Sequence, residues 1–388
     1  MEEKFKIGKF ECTGCGACSQ KCVNQCIELK SNEEGFEYPV IDEKKCINCG
    51  ICAKVCPLNK SEDNTDKHNI PKAYAVINKN SEVRYESSSG GAFSVFAESI
   101  IDKGGIVYGC ALNKKLEAVH IGVENKQDLI RLRGSKYVQS KIGNVYREIE
   151  EHLKNDRYVM FVGTPCQVSG LDCYLGRKYD KLLLVDFICH GVPSPLIFKE
   201  YISYIQGKYK EKVCDFRFRN KDYGWNQTGL QLGTKYVLDS GKTVRKYPAV
   251  KDVYMNGFLS DIYLRESCYK CKFKSIPKDY ADITIADFWG INKIDKQLND
   301  KKGTSLVLIH SEKGAEKWDE INDLVVYKEV KYEDAIRKNK SLIKSAKENR
   351  ERISFFGDYK NKGFEYVMRR YLNPLKWIFD KAKKMMLK

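Results

Sequence analysis

At 388 residues the chain is longer than one hydrophobic core usually organises, so two or three folding units are expected. Its 42% hydrophobic residues suffice for packed cores, yet no run reaches about eighteen apolar residues, which argues against a spanning helix. A formal charge of +16 favours anionic partners, and sixteen cysteines behind an opening, MEEKFKIGKFECTGCG, without an apolar leader point to cytoplasmic metal or redox chemistry rather than disulfides.

In chain order, the first signal is a repeat. CTGCGACSQKC places Cys12, Cys15, Cys18 and Cys22, and CINCGICAKVCP places Cys46, Cys49, Cys52 and Cys56. Both runs have the C-x2-C-x2-C-x3-C spacing by which bacterial-type ferredoxins hold two 4Fe-4S clusters, the fourth cysteine of each crossing to the other cluster. The spacing predicts one cluster on Cys12, Cys15, Cys18 and Cys56 and a second on Cys46, Cys49, Cys52 and Cys22. Gly14, Gly16, Ala17 and Gly50 are small enough to let the backbone approach the sulfurs. A pair of zinc sites would need only CxxC pairs and leaves the four-cysteine runs unexplained. Val23 stands where this motif usually has proline, and Cys26 is additional, read as a buried free thiol. Residues 1–60 are thus expected to form an α+β ferredoxin-like two-cluster domain.

The polar, aperiodic LNKSEDNTDKHNIPK that follows reads as a linker over residues 61–72. Beyond it, helix and strand patterns alternate. GAFSVFAESIIDKG has helical spacing of Phe93, Phe96, Ile100 and Ile101, and GIVYGCAL reads as a strand. IGNVYREIEEHLKND (helix), RYVMFVG (strand), PCQVSGLDCYLG (helix) and KLLLVDFI (strand) repeat the alternation, and ADITIADF and GTSLVLIHS are further strands. DAIRKNKSLIKSAKENRER reads as an exposed basic helix. The pattern implies an α/β domain with a mixed sheet over residues 73–340 and a basic helical tail over 341–388. In NPLKWIFDKAKKMMLK, Asn373 can cap and Pro374 can open a helix with Leu375, Ile378, Phe379, Ala382 and Met386 on one face. Such a helix suits an anionic membrane surface or docking on its own domain.

Neither G-x-G-x-x-G after a strand nor G-x-x-x-x-G-K-S/T occurs, so an ordinary dinucleotide fold and a P-loop are poorly supported. Three small-residue turns stand at strand–helix junctions instead. ESSSGGAF supplies Ser87, Ser88, Ser89, Gly90 and Gly91 at a helix start suited to phosphate. RLRGSKYVQS adds Arg133, Gly134, Ser135, Lys136 and Tyr137, and FVGTPCQVSG sets Gly163, Thr164 and Pro165 directly after a strand. Each alone is no stronger than an ordinary turn; together they point to a phosphorylated, ring-bearing ligand.

SSSGGAFS, RGSKYVQS, GTPCQVSGL, ICHGVPSP, ESCYKCKF and ADITIADFWG, in this order behind a two-cluster ferredoxin run, resemble the coenzyme F420 hydrogenase/dehydrogenase beta subunit family. The resemblance covers roughly residues 10–310. It implies FAD and iron-sulfur clusters, and electron movement between a deazaflavin or another hydride carrier and one-electron partners. It further implies a flavin-binding α/β domain whose pocket is lined by Ser89, Gly90, Gly91, Gly134, Ser135, Lys136, Tyr137, Thr164 and Gln167; Asp287 and Trp289 of ADFWG are candidates to border the same pocket, with a core position the alternative for Trp289.

Seven cysteines remain outside the ferredoxin unit. Cys166 and Cys189 each follow a strand, and both strand ends are expected on one sheet edge. Cys268 and Cys271 of RESCYKCKFKS, folded over that edge, would complete four thiolates, and the resemblance suits these four positions to a third 4Fe-4S cluster beside the flavin. A structural zinc on the same four, an isolated Cys268–Cys271 dithiol and a Cys166–His190 nucleophile pair compete with this reading. Cys110, Cys173 and Cys214 sit in apolar runs and read as core thiols.

The expectation is a flavin-dependent iron-sulfur oxidoreductase, cytoplasmic or peripheral at the inner face of the membrane, with no catalytic residue assigned. Its expected partner is a redox protein or an anionic hydride-carrying cofactor. An electron-transfer subunit without its own substrate and a cluster-containing nucleic-acid-binding protein are the alternatives. No helix-turn-helix or RNA-binding signature supports the last, so no nucleic acid is expected.

Overall fold

The computed structural model describes residues 2–5, 7–60, 70–225, 233–274 and 278–373. In the cysteine-rich region, the short helices Ala17–Lys21 and Ile51–Lys54 arise within the two runs, and the antiparallel hairpin β1 (Ile27–Ser31) and β2 (Glu37–Ile41) lies between them in sequence. Each helix is entered through a glycine with positive φ, Gly16 at 79° and Gly50 at 72°. Only glycine adopts that turn without a Cβ penalty.

The body is built on an eight-stranded mixed sheet. Its strands are β3 (Lys72–Asn78), β4 (Ile106–Leu112), β5 (Ala118–Val123), β6 (Val159–Gly163), β7 (Leu182–Phe187), β11 (Ile283–Asp287), β12 (Ser305–Ile309) and β13 (Val325–Val330). They run in the order β13-β3-β12-β11-β7-β6-β4-β5, with β4, β6, β7 and β11 parallel and the flanking strands antiparallel. The inner strands β6 and β12 are buried at every position, as expected where helices cover both faces of a sheet. Helices Ala92–Asp102 and Glu312–Ile321 pack Val95, Phe96, Ile100 and Trp318 onto Val107, Met160 and Val307. Helices Val145–Lys154 and Pro165–Leu175 set Ile149, Val168 and Leu171 against Phe161, Leu182 and Leu184.

A three-stranded sheet, β8 (Val213–Asn220), β9 (Gly233–Leu238) and β10 (Thr243–Lys246), shares a second core with helices Pro195–Tyr209, Val253–Leu259 and Arg352–Tyr371. Within the stretch 341–388 set apart as a tail, the last of these helices buries Phe355, Phe364, Val367 and Tyr371 in that core. Residues 374–388, where the amphipathic helix is expected, and residues 61–69 of the expected linker lie outside the described residues. Among the described residues no helix is long and apolar enough to cross a membrane.

Two expectations are corrected. DAIRKNKSLIKSAKENRER is not one exposed helix: the helix ends at Ile336, Asn339 donates side-chain hydrogen bonds to the Asp287 and Ala335 carbonyls, and Leu342 and Ala346 are buried. The run is therefore pinned against the end of β11 rather than free to continue in solvent. Cys214 is exposed, because it is the extra residue of a β-bulge in β8 and lies beside Asp239; Cys173 is only half-buried, whereas Cys110, half-buried, packs against the core of the three-stranded sheet.

Candidate functional site

Strands β6 and β7 are in parallel register with Gly163 opposite Asp186, so both chains leave the sheet at the same edge. Past β6, Thr164 caps the helix Pro165–Leu175 in a capping box with Gln167, which sets Cys166 in the first turn. Past β7 the chain reaches Cys189. The turn Glu266–Lys270 carries Cys268, whose sulfur accepts the Val192 N–H at 3.4 Å, and Cys271 donates its N–H to Ser345 Oγ at 3.1 Å.

These four sulfurs lie within one electrostatic neighbourhood. Burial pushes Cys166 up to about 12, with repulsion from Cys271 and Cys189 adding to it. Cys189 is pushed up to about 11 by burial while Lys274 opposes it, and Cys268 is raised by burial and by all three other thiols. Lys274 also donates to the Cys189 and Ser341 carbonyls. Three of these thiols, Cys166, Cys189 and Cys268, resist ionising, and a cationic iron core would stabilise the set as thiolates, so the residues fit such a group.

The ferredoxin cysteines fall into the two crossed sets. Cys12, Cys15, Cys18 and Cys56 surround one small cavity, and Cys22, Cys46, Cys49 and Cys52 surround another of about 750 Å³. Cys26 also lines the second, buried, its sulfur 3.3 Å from that of Cys22 and its thiol pushed up to about 12 by burial. The three sets adjoin one another in turn: Cys15 senses the charge of Cys166, and Cys18 senses that of Cys52. Cys49 is exposed at the far end.

At the near end a cavity of about 470 Å³ opens over the sheet edge. Ser89, Gly91, Gly134, Ser135, Lys136, Tyr137, Thr164 and Gln167 line it, as do Cys166, Cys189, Asp287 and Trp289. Gly90 lies behind the wall, where a Cβ would sit 2.2 Å from the Val76 carbonyl oxygen. Gly91, at φ 89°, opens the helix Ala92–Asp102 without a side-chain cap of its own, and Ser305 Oγ accepts from the Gly90 and Ala92 N–H groups at 2.9 and 3.5 Å. Tyr137 stacks on Phe258 with centroids 4.6 Å apart, and Trp289 stacks on Trp225 at 5.2 Å.

Several lining residues escape sequence reading because their partners are remote in the chain. Arg219 meets Asp287 in two hydrogen bonds of 2.7 and 3.2 Å, and its buried Nε has no partner. His120 Nε2 lies 3.2 Å from the Val162 carbonyl, while its buried Nδ1 is unpartnered. Burial holds this imidazole down to about 4, so it is neutral, and donation from Nε2 leaves Nδ1 as an acceptor. A wall with an orphan acceptor, an orphan guanidinium donor and aromatic faces fits a flavin. His190 pairs with Asp261 and lies near Ser341, whereas the sulfur of Cys166 contacts Thr164 Oγ1, so the two do not form a nucleophile pair in this structure.

Beyond Gly134–Lys136 lies a second cleft of about 330 Å³ carrying Arg131, Arg133, Arg217, Arg219, Lys221 and Lys235 against Glu86, Asp215 and Asp222. Its excess of cations suits an anionic group.

Cysteine sets of ferredoxin spacing joined to a mixed α/β sheet define an iron-sulfur oxidoreductase. Residues 156–335 match the family described as the C terminus of the coenzyme F420 hydrogenase/dehydrogenase beta subunit, and residues 11–60 and 38–87 match two descriptions of 4Fe-4S dicluster domains. Within this chain, a segment similar to the C terminus of that beta subunit thus follows 4Fe-4S dicluster sequence. It is 24% identical over 359 residues to a coenzyme F420-dependent sulfite reductase of Methanocaldococcus jannaschii, covering 89% of this chain and 52% of that protein. The chain thus spans about half the length of that relative. A ferredoxin-like protein in the nif region of Sinorhizobium fredii is 48% identical over 63 residues, 15% of this chain and 91% of that one. A chain of the F420-reducing [NiFe] hydrogenase complex from Methanosarcina barkeri superposes with a TM-score of 0.45 and 13% identity, over 72% of this chain and 92% of that one.

Proposed function

We propose that the chain is a flavin-dependent oxidoreductase that exchanges electrons between a hydride carrier at the 470 Å³ cavity and a one-electron partner at the exposed Cys49 end. The observation that carries this reading is the line of three cysteine sets running from the cavity wall to the surface. FAD held in the cavity would supply the change from hydride chemistry to single-electron transfer. Ser89, Gly91, Gly134, Ser135, Lys136, Tyr137, Thr164 and Gln167 hold it, and Cys166, Cys189, Cys268 and Cys271 hold a third 4Fe-4S cluster at its edge. Lys274 offsets the charge of that thiolate set, and the cationic cleft beyond Lys136 orients a carrier bearing negative charge.

The sulfite reductase relative supports a deazaflavin as that carrier. Residues 1–60 act as the ferredoxin unit, 61–72 as linker, 73–340 as the flavin and iron-sulfur unit, and 341–388 as the C-terminal helical part. The protein works in the cytoplasm, and residues 374–388 contact the membrane; a truncation after Asn373 that binds anionic vesicles as well as the full chain would remove the membrane role.

Anaerobic purification with iron, zinc and flavin analysis tests the reading. About twelve irons and one FAD per chain are expected, and Cys268→Ser should lose about four irons while keeping the ferredoxin EPR signal. About eight irons with stoichiometric zinc, or no releasable flavin, would overturn it.

A further inference from the structure

Arg265 is out of solvent entirely, and its guanidinium makes three hydrogen bonds, all to neutral acceptors. Nε donates to the Cys12 carbonyl at 2.8 Å, Nη1 to Gln139 Oε1 at 3.0 Å and Nη2 to the Glu37 carbonyl at 2.9 Å. Its face lies 4.2 Å from the centroid of Tyr38. The Glu37 carboxyl is within electrostatic range, but burial raises its pKa and weakens it as a counter-ion. A buried cation held only by neutral partners is unfavourable unless an anionic centre lies close by.

Two such centres flank it. Its side chain closes the loop of Cys12, and its backbone carbonyl accepts the Cys268 N–H at 2.9 Å. The Cys12 loop packs directly on the guanidinium: a Cβ at Gly14 would lie 2.9 Å from Nη1. Gln139, its partner on the cavity wall, donates back to the Thr13 carbonyl at 3.1 Å.

We propose that Arg265 is a positioning residue for electron transfer, clamping the Cys12–Cys15–Cys18–Cys56 set against the Cys166–Cys189–Cys268–Cys271 set and raising the reduction potentials of the clusters on both. The proposal rests on the third cluster assigned above. A fixed positive charge between two anionic clusters favours the reduced form of each, since net charge and hydrogen bonding around a cluster set its potential. The set on Cys22, Cys46, Cys49 and Cys52 lies one step further away and escapes this influence.

The test uses the full chain, purified anaerobically, as wild type and as Arg265→Gln, Arg265→Lys and Gln139→Glu. Iron per chain is counted first, then each cluster's potential is read by EPR-monitored potentiometry. Arg265→Gln removes the charge, and Gln139→Glu neutralises it in place. Both should keep wild-type iron and shift two potentials to more negative values while the third stays put, and Arg265→Lys should remain near wild type. Unmoved potentials in the neutralising variants, an equal shift of all three, or a lysine variant that shifts as far as the glutamine one would overturn the proposal. If Arg265→Gln fails to assemble, Gln139→Glu decides alone. A wild-type iron count of only two clusters removes the third cluster, and this proposal with it, before any potential is measured.

Discussion

Lys278 and Asp186 form an ion pair at 2.5 Å with neither side chain open to solvent. Asp186 also accepts a hydrogen bond from Thr284 Oγ1, which in turn lies 2.7 Å from His310 Nε2. The pair ties the chain beyond the Cys268–Cys271 loop to β7, the strand that delivers Cys189. Lys278→Met leaves a buried carboxylate without its cation, a change that costs about 3–5 kcal/mol. The apparent Tm should fall sharply, and part of the iron proposed for Cys166, Cys189, Cys268 and Cys271 should be lost. Asp186→Leu combined with Lys278→Met should recover much of the stability, because the penalty comes from the unpaired charge. A double variant less stable than Lys278→Met would show that the pair itself is needed.

Two neutral buried histidines set the acid limit. Burial lowers His120 to about 4 and, with help from Lys278, His310 to about 3, against an ordinary 6.5. As pH falls below 6.5 the unfolded chain takes up protons that the folded chain refuses. Their contribution to stability is complete above that value and drains away as pH falls toward about 4 for His120 and about 3 for His310. The apparent Tm should therefore drop across this window, and less so in His120→Phe, which also should retain less flavin because the orphan Nδ1 acceptor is gone. Identical pH profiles in the two proteins would refute the assignment of this acid sensitivity to His120.

Lys221 ties anion binding to pH. Burial, with repulsion from Arg84 and Arg219, lowers it to about 7, and it lines the cationic cleft while donating to the Arg84 and Ser89 carbonyls. Its charge is present below that value and lost above it. The KM for a phosphate-bearing hydride carrier should rise as pH increases through about 7 with kcat little changed, and Lys221→Met should show a high KM independent of pH in this range. A variant that keeps the wild-type rise would place the titrating group elsewhere.

The parts of this arrangement legible in the sequence are those written in local spacing. The crossing of Cys22 and Cys56 follows from two four-cysteine runs, and the level ends of β6 and β7 follow from two apolar strands each leading into a cysteine. What the sequence does not expose is pairing across distance. Arg219 and Asp287, His190 and Asp261, and Arg265 and Cys12 meet only because the sheets and the hairpin are assembled, and no periodicity marks them. The basic run after Asp334 misleads for a related reason: its composition suits a solvated helix, but Asn339 is captured by the Asp287 carbonyl. Cys214 misleads because it is the extra residue of a β-bulge between Val213 and Asp215, where alternation breaks and both Cys214 and Asp215 face out.

The junction between the two units offers the last prediction. Gly35, at φ 82° in the turn between β1 and β2, lies against the start of the helix Pro195–Tyr209: a Cβ there would be 2.4 Å from Leu196 Cβ and 2.7 Å from its backbone nitrogen. Ser194 Oγ donates to the Glu34 carbonyl beside it, and Arg352 pairs with the Glu34 carboxylate. Gly35→Ala faces both a left-handed backbone, costing about 1–2 kcal/mol, and a clash with backbone that cannot move aside cheaply. The hairpin must then lift from the body, carrying the Cys12 loop away from Cys166. Iron content should stay at the wild-type level, while the apparent Tm falls and reduction of the cluster on Cys22, Cys46, Cys49 and Cys52 by a hydride donor slows in anaerobic stopped-flow traces. Arg352→Met should act in the same direction. If Gly35→Ala passes electrons at the wild-type rate, the contact at residues 34 and 35 is not what sets the distance between the two units.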